Sequence, residues 1–211
     1  IKIGVLPERI RMIHNAIEDY WFEKKEFLPP TAPRIVFLGR LGGDVFTLKL
    51  KGLDRLIGLY RLFPDTPKTT IFMTTNKKLK DWLRVAFPAH YMFVNMRKDL
   101  IPDILARLRG SILFIPSRYE GFSLSLVEGM SQGLVPISYS VGIAPEIIRN
   151  GENGFLVSSN EEAEERIREL LSNAEKRLMM AEAAMKSAGK FRSGAIADKL
   201  LCLYREIMDI K

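Results

Sequence analysis

The chain has 211 residues, 47% of them hydrophobic and 27% charged, with a formal net charge of +7. That length buries a core without staples, and the balance excludes a disordered chain. No apolar run approaches the roughly 20 residues that span a bilayer, and the lone cysteine, Cys202, excludes an internal disulfide.

The basic balance suits anionic small ligands or an anionic membrane surface. Lys and Arg are spread along the chain with no Arg-rich tract interleaved with aromatics, which ranks nucleic acid below those partners. A reduced thiol fits a cytoplasmic location, peripheral on the inner membrane face if the basic surface meets lipid. No signal peptide is visible at Ile1, and an opening Ile-Lys-Ile without Met reads as a fragment of a longer protein.

Residues 1–33 read as an interdomain linker, with a short strand at 10–13 and a proline-rich stretch at 28–33 that continues neither helix nor central strand. From Arg34 short, nearly continuous apolar runs fall at 35–38, 71–73, 91–94, 112–115, 134–137 and 155–157, as strands buried on both faces of a parallel sheet would. Between them lie sets at i, i+3, i+4, i+7 spacing: Leu53, Leu56, Ile57, Tyr60; Leu79, Trp82, Leu83, Ala86; Ile101, Ile104, Leu105, Leu108. The alternation predicts an α/β domain over 34–192, a Rossmann-like open parallel sheet of about six strands with helices on both faces. Helices follow at 161–172 and 174–188. A last helix, within 193–211, carries Ile196, Leu200, Tyr204 and Ile207 on one face, packing back on the domain or toward an amino-terminal domain outside the chain, and Cys202 on it reads as a buried thiol.

In such sheets ligands bind beyond the carboxyl ends of the strands. Two loops there carry chemistry. The first presents Gly39, Arg40, Gly42 and Gly43, then Lys49, Lys51 and Gly52, fixed positive charge beside flexible backbone, as a diphosphate requires. The second follows the fourth strand: Glu120 and Gly121 in a turn, then a helix beginning near Ser123 that carries Glu128. Backbone N–H groups near Phe122, Ser123 and Leu124 would face an anion. Glu120 beside them would then have to point at something neutral and hydroxyl-rich, such as a sugar, and Glu128 could accept from a ribose diol. Pattern alone fits equally a surface cap and a solvated helix residue. The stretch 138–146 reads as another ligand-side loop, and 150–154 as a tight turn with glycines at positive φ. Neither a phosphate-binding Gly-x-x-x-x-Gly-Lys nor Gly-x-Ser-x-Gly occurs, and two histidines with one cysteine make a His/Cys metal site improbable.

Together these segments resemble the carboxyl-terminal, nucleotide-sugar-binding half of retaining glycosyltransferases of the GT-B architecture, in the large group often numbered four. The residues that carry it are Pro116-Ser117-Arg118-Tyr119-Glu120-Gly121-Phe122-Ser123, Glu128-Gly129-Met130, Gly133-Leu134-Val135-Pro136 and Asn150-Gly151-Glu152-Asn153-Gly154. Gly39-Arg40-Leu41, Lys51-Gly52 and His14-Asn15-Ala16-Ile17 match further family segments. The resemblance implies that Glu120 holds donor-sugar hydroxyls and Glu128 the ribose. Arg40 and Lys51 would neutralise the diphosphate without a metal or cofactor, and Asn95 and Met96 would lie at the base. The expected reaction moves a hexose from a UDP- or GDP-sugar to a cell-surface glycan or glycolipid, with an acceptor domain that this chain lacks.

Departures from the family are the long spacing from Arg40 to Lys51, which leaves Lys49 as a second candidate, Asn95 and Ser123 in place of Gly, and Gly129 in place of Ala. Three other readings stay open: a non-catalytic nucleotide-sugar-binding module, a membrane-surface adaptor, and a glycoside hydrolase. The last is disfavoured if basic neighbours keep both glutamates ionised.

Overall fold

The computed structural model describes residues 4, 6–23, 30, 32–86 and 90–209. Among these, six parallel strands form one sheet: β1 (Ile35–Arg40), β2 (Lys68–Met73), β3 (Tyr91–Val94), β4 (Ile112–Ile115), β5 (Val135–Tyr139) and β6 (Phe155–Val157). Their order is β3-β2-β1-β4-β5-β6. The expected open sheet is therefore present, and β1 has β2 on one side and β4 on the other.

Helices α1 (Val45–Leu50) and α2 (Leu53–Leu62) join β1 to β2, and α3 (Lys77–Ala86) joins β2 to β3. Next come α4 (Ile101–Ala106), α5 (Leu124–Ser131) and α6 (Ala144–Ile147), each between successive strands. The carboxyl-terminal helices α7 (Asn160–Ser172), α8 (Ala174–Ala188) and α9 (Ser193–Asp209) complete the fold.

The apolar runs lack polar alternation because both sheet faces are covered. In β1, Ile35 and Phe37 pack with Leu56 and Leu59 of α2 and Ile167 and Leu170 of α7. Val36 and Leu38 point the other way, into a second core with Leu105 of α4, Leu126 and Met130 of α5, and Ala184 and Ala188 of α8. Ser159 caps α7 by accepting from Glu162 N, and Asn173 caps α8 by accepting from Lys176 N.

Three expectations are corrected. Residues 10–13 form no strand. The leading segment is also not a bare linker from residue 17 onward. Ile17 and Trp21 are fully buried in the second core, and Ile17 N donates to Phe191 O at 2.9 Å. Apolar side chains of that size gain more from a core than from solvent, which draws the segment onto the domain. Of the proline-rich stretch 28–33, residues 28, 29 and 31 lie outside the described residues.

The third correction concerns Cys202 on α9. Ile196 is buried, but Leu200, Leu201, Tyr204 and Ile207 are exposed and so is Cys202. Periodicity identifies an apolar stripe, but it cannot show that a partner covers that stripe within the same chain.

Candidate functional site

The strand order places a crevice at the carboxyl edge between β1 and β4, where successive connections leave in opposite directions. A cavity of about 390 Å³ opens there. Its walls include Gly39 and Arg40 from the end of β1, Lys51, Met96 and Lys98 from the loop after β3, and Glu120, Phe122, Ser123, Leu124 and Glu128. A neighbouring cavity shares Arg40, Lys51 and Glu120, and adds Gly121 and Tyr119.

Glu120 and Lys51 meet between the two cavities. Lys51 Nζ donates to both carboxylate oxygens of Glu120, at 2.8 and 2.9 Å, and Ser117 Oγ donates to Oε1 at 2.7 Å. The turn before Glu120 is tied to α1 and α2 by a further set of bonds. Arg55 stacks over Tyr139 at 3.7 Å and donates to the carbonyls of Pro116 and Ser117. Arg118 grips Asp54 with two bonds of 2.6 and 2.7 Å, and its backbone N–H donates to Leu50 O.

Gly52 makes this juncture possible. Its φ is +67°, and an added Cβ would lie 2.0 Å from the carbonyl oxygen of Pro116. On the far side Gly142, at φ +54°, passes over the carbonyl of Phe122, where an added Cβ would lie 2.5 Å from its oxygen. Ile143 N donates to that same oxygen at 2.8 Å. The 138–146 stretch thus buttresses the Phe122 turn and does not itself line either cavity.

Helix α5 starts directly behind that turn with no side-chain cap, after Ser123 at φ +80°. The first two N–H groups of the helix, those of Leu124 and Ser125, precede any intrahelical acceptor, while Leu126 N donates to Ser123 O at 3.2 Å. Three residues there, Ser123, Leu124 and Ser125, line the cavity. Gly129, where the family has Ala, is explained by its neighbour. An added Cβ would sit 2.5 Å from a terminal methyl of Leu113 on β4, which fills the space.

Glu128 departs from expectation. Burial dominates its environment and pushes its carboxyl up to about 7, against the opposing pull of Lys98. Basic neighbours therefore do not keep it firmly ionised, because desolvation of a carboxylate outweighs one cation 3.5 Å away.

Of the predicted site residues, Gly39, Arg40, Lys51, Met96, Glu120, Phe122, Ser123, Leu124 and Glu128 share one cavity, with Gly121 at the adjoining one. Asn95 lines neither. At φ +54° its amide is spent on the backbone of Thr74, accepting from N at 2.8 Å and donating to O at 2.9 Å. Lys49 lines neither cavity, whereas Lys51 lines both. Missed at first were Lys98, whose position after β3 was the available signal, and Ser117, within the quoted motif.

Among the described residues no group of three or more His, Cys, Asp or Glu could hold a metal ion. Likewise no described helix is long and apolar enough to cross a membrane.

A doubly wound parallel sheet with its cavity at the switch point defines an open Rossmann-like α/β domain. The family model of the group 1 glycosyl transferases matches residues 21–187, and the chain belongs to that family. An uncharacterized glycosyltransferase of Methanocaldococcus jannaschii is 35% identical over 179 residues, 82% of this chain and 47% of that protein. The chain thus spans about half the length of that relative. The carboxyl-terminal domain of the group 1 family protein LpcC from Francisella tularensis superposes with a TM-score of 0.60 at 24% identity, over 84% of this chain and 94% of that domain. HepE from Anabaena, solved with UDP and glucose, superposes with a TM-score of 0.72 at 17% identity, covering 96% of this chain and 58% of that one.

Proposed function

We propose that this chain is the donor-binding half of a retaining hexosyltransferase that uses a UDP- or GDP-sugar and no metal or other cofactor. The observation that carries the reading is the single cavity in which Arg40, Lys51, Glu120, Glu128 and the start of α5 converge. Arg40, Lys51 and the first-turn N–H groups complement a diphosphate, Glu120 the sugar hydroxyls, and Glu128 the ribose diol. In the transfer the anomeric C–O bond to phosphate breaks and the acceptor oxygen bonds on the same face. The leaving diphosphate takes the acceptor's proton, and Arg40 and Lys51 balance its charge. A UDP complex of a structural neighbour favours the uridine nucleotide.

The acceptor, a cell-surface glycan or glycolipid, would be held by residues outside this chain, with peripheral contact to an anionic membrane through the basic surface. Glycoside hydrolysis fits less well: Glu120 is locked to Lys51, which suits a hydroxyl acceptor better than a nucleophile. Titration calorimetry with UDP and with GDP tests the reading. The folded chain is expected to bind one of them without turnover, and binding of neither would reject it.

A further inference from the structure

Lys98 lies on the cavity wall, in the short turn that follows β3, and touches two carboxylates from distant parts of the chain. Its Nζ donates to both oxygens of Glu18, at 2.8 and 3.0 Å, and stands 3.5 Å from Glu128 Oε1. Glu18 belongs to the leading segment, whose Trp21 is buried and whose Trp21 carbonyl accepts from Gln132 just beyond α5. Three segments therefore meet at one ammonium group: the loop after β3, helix α5 and the leading segment.

We propose that Lys98 is a positioning residue for nucleotide recognition: from its place beside Glu18 it eases ionisation of the buried Glu128 carboxylate and keeps it aimed into the cavity, at the ribose diol of a nucleoside diphosphate. The inference rests on the donor-binding reading above. A buried carboxylate is strongly disfavoured as an anion unless a cation faces it. Among the described residues, Lys98 is the cation within ion-pair reach of Glu128. An ionised carboxylate also accepts from a diol more strongly than a neutral acid, so the charge state decides affinity.

The other groups facing Glu128 are Glu18 and Tyr20 of the leading segment, with Arg40, Lys51 and Glu120 around the same cavity. Glu18 opposes ionisation of Glu128 directly, yet it also anchors the lysine that supports it. Removing Glu18's charge and removing Lys98's charge should therefore move the pH dependence in opposite directions.

The test is calorimetric titration of UDP and GDP into the chain at pH 6, 7 and 8, for wild type, Lys98→Met, Lys98→Arg and Glu18→Gln. Titration of the nucleotide's own phosphate is common to all four proteins and cancels in the ratios. Lys98→Met is expected to weaken binding about tenfold at pH 7, with a smaller deficit at pH 8, because its carboxylate ionises later. Lys98→Arg should stay within about twofold of wild type, since it retains the charge. Glu18→Gln should bind at least as tightly as wild type at pH 6. Loss of the same factor at every pH in Lys98→Met would mean that Lys98 merely attracts the phosphates, and would overturn the proposal, as would unchanged binding. Wild-type protein that binds neither nucleotide would overturn the donor-binding reading and this inference with it. Lys98 is half exposed, so its variants should fold; a single cooperative thermal transition for each confirms that.

Discussion

Glu128→Gln is expected to make the protein more stable above pH 7 and a much weaker nucleotide binder. The carboxyl sits at about 7 in the folded chain against an ordinary value of 4.5. A folded value above the unfolded one means that its contribution to stability is complete below about pH 4.5 and is lost as pH rises through about 7. At pH 8 the wild type carries the whole cost of a buried anion, about 3 kcal/mol. Glutamine removes that cost. The difference in melting temperature between variant and wild type should be near zero at pH 4.5 and about 5–10 °C at pH 8. Carboxylates with lowered values, such as Asp54 beside Arg118 and Glu169 beside Lys176, affect both proteins alike and drop out. Binding should move the other way. Loss of a charged acceptor, worth about 1.5–3 kcal/mol, lowers affinity about 10- to 100-fold. Thermal scans across pH with and without UDP read both effects. A variant no more stable than wild type at pH 8 would contradict the burial argument.

Gly52→Ala is the second large effect, and here stability and binding should fall together. Left-handed backbone costs an L residue about 1–2 kcal/mol. The new Cβ would also press on the Pro116 carbonyl, a rigid backbone atom, at 2.0 Å. Overpacking of that kind costs a further 1–3 kcal/mol, so about 3 kcal/mol in total is expected. Relief requires the Lys51 end of α1 to move away from the turn before Glu120, which breaks the 2.8 Å pair and the Arg118 N–H bond to Leu50 O. Denaturant unfolding should show the loss, and nucleotide affinity should drop even at temperatures where the variant is fully folded. A stable Gly52→Ala protein with normal affinity would mean that the two loops are not mechanically joined. Gly151→Ala, at φ +81° with nothing within 4 Å of an added Cβ and away from both cavities, is the matched control: it carries the left-handed cost alone and should leave affinity unchanged.

Most of the sheet was legible because strands covered on both faces have a one-letter grammar: 35–38, 112–115 and 155–157 are unbroken apolar runs. Less legible was anything decided by a partner in space. Helix α1 lies where the sequence presents only a glycine-rich loop with lysines, although Asp44 caps it by accepting from Thr47 N at 2.9 Å. That six-residue helix has no buried residue and so no apolar period to find. The α9 stripe was real but uncovered within the described residues. At the site, the positions of Glu120 and Glu128 follow from their spacing on a turn and helix, while their charge states do not. Burial of Glu128 depends on Trp21's segment and the loop after β3, both remote in sequence. Asn95 illustrates the same limit. Its side chain is an attractive base contact on paper, and Thr74 had already taken both ends of its amide.

The central place of β1 also bears on how fast the cleft can form. Arg40 and Glu120 lie at the ends of strands that meet across a long gap in sequence, as in the bond from Arg34 N to Ser111 Oγ, 77 residues apart. Such distant pairings are made late, after much of the chain has lost its freedom. The cleft then has no local precursor, and a nucleotide has nothing to grip until the two halves of the sheet have docked. Ligand should consequently slow unfolding and leave the refolding rate unchanged.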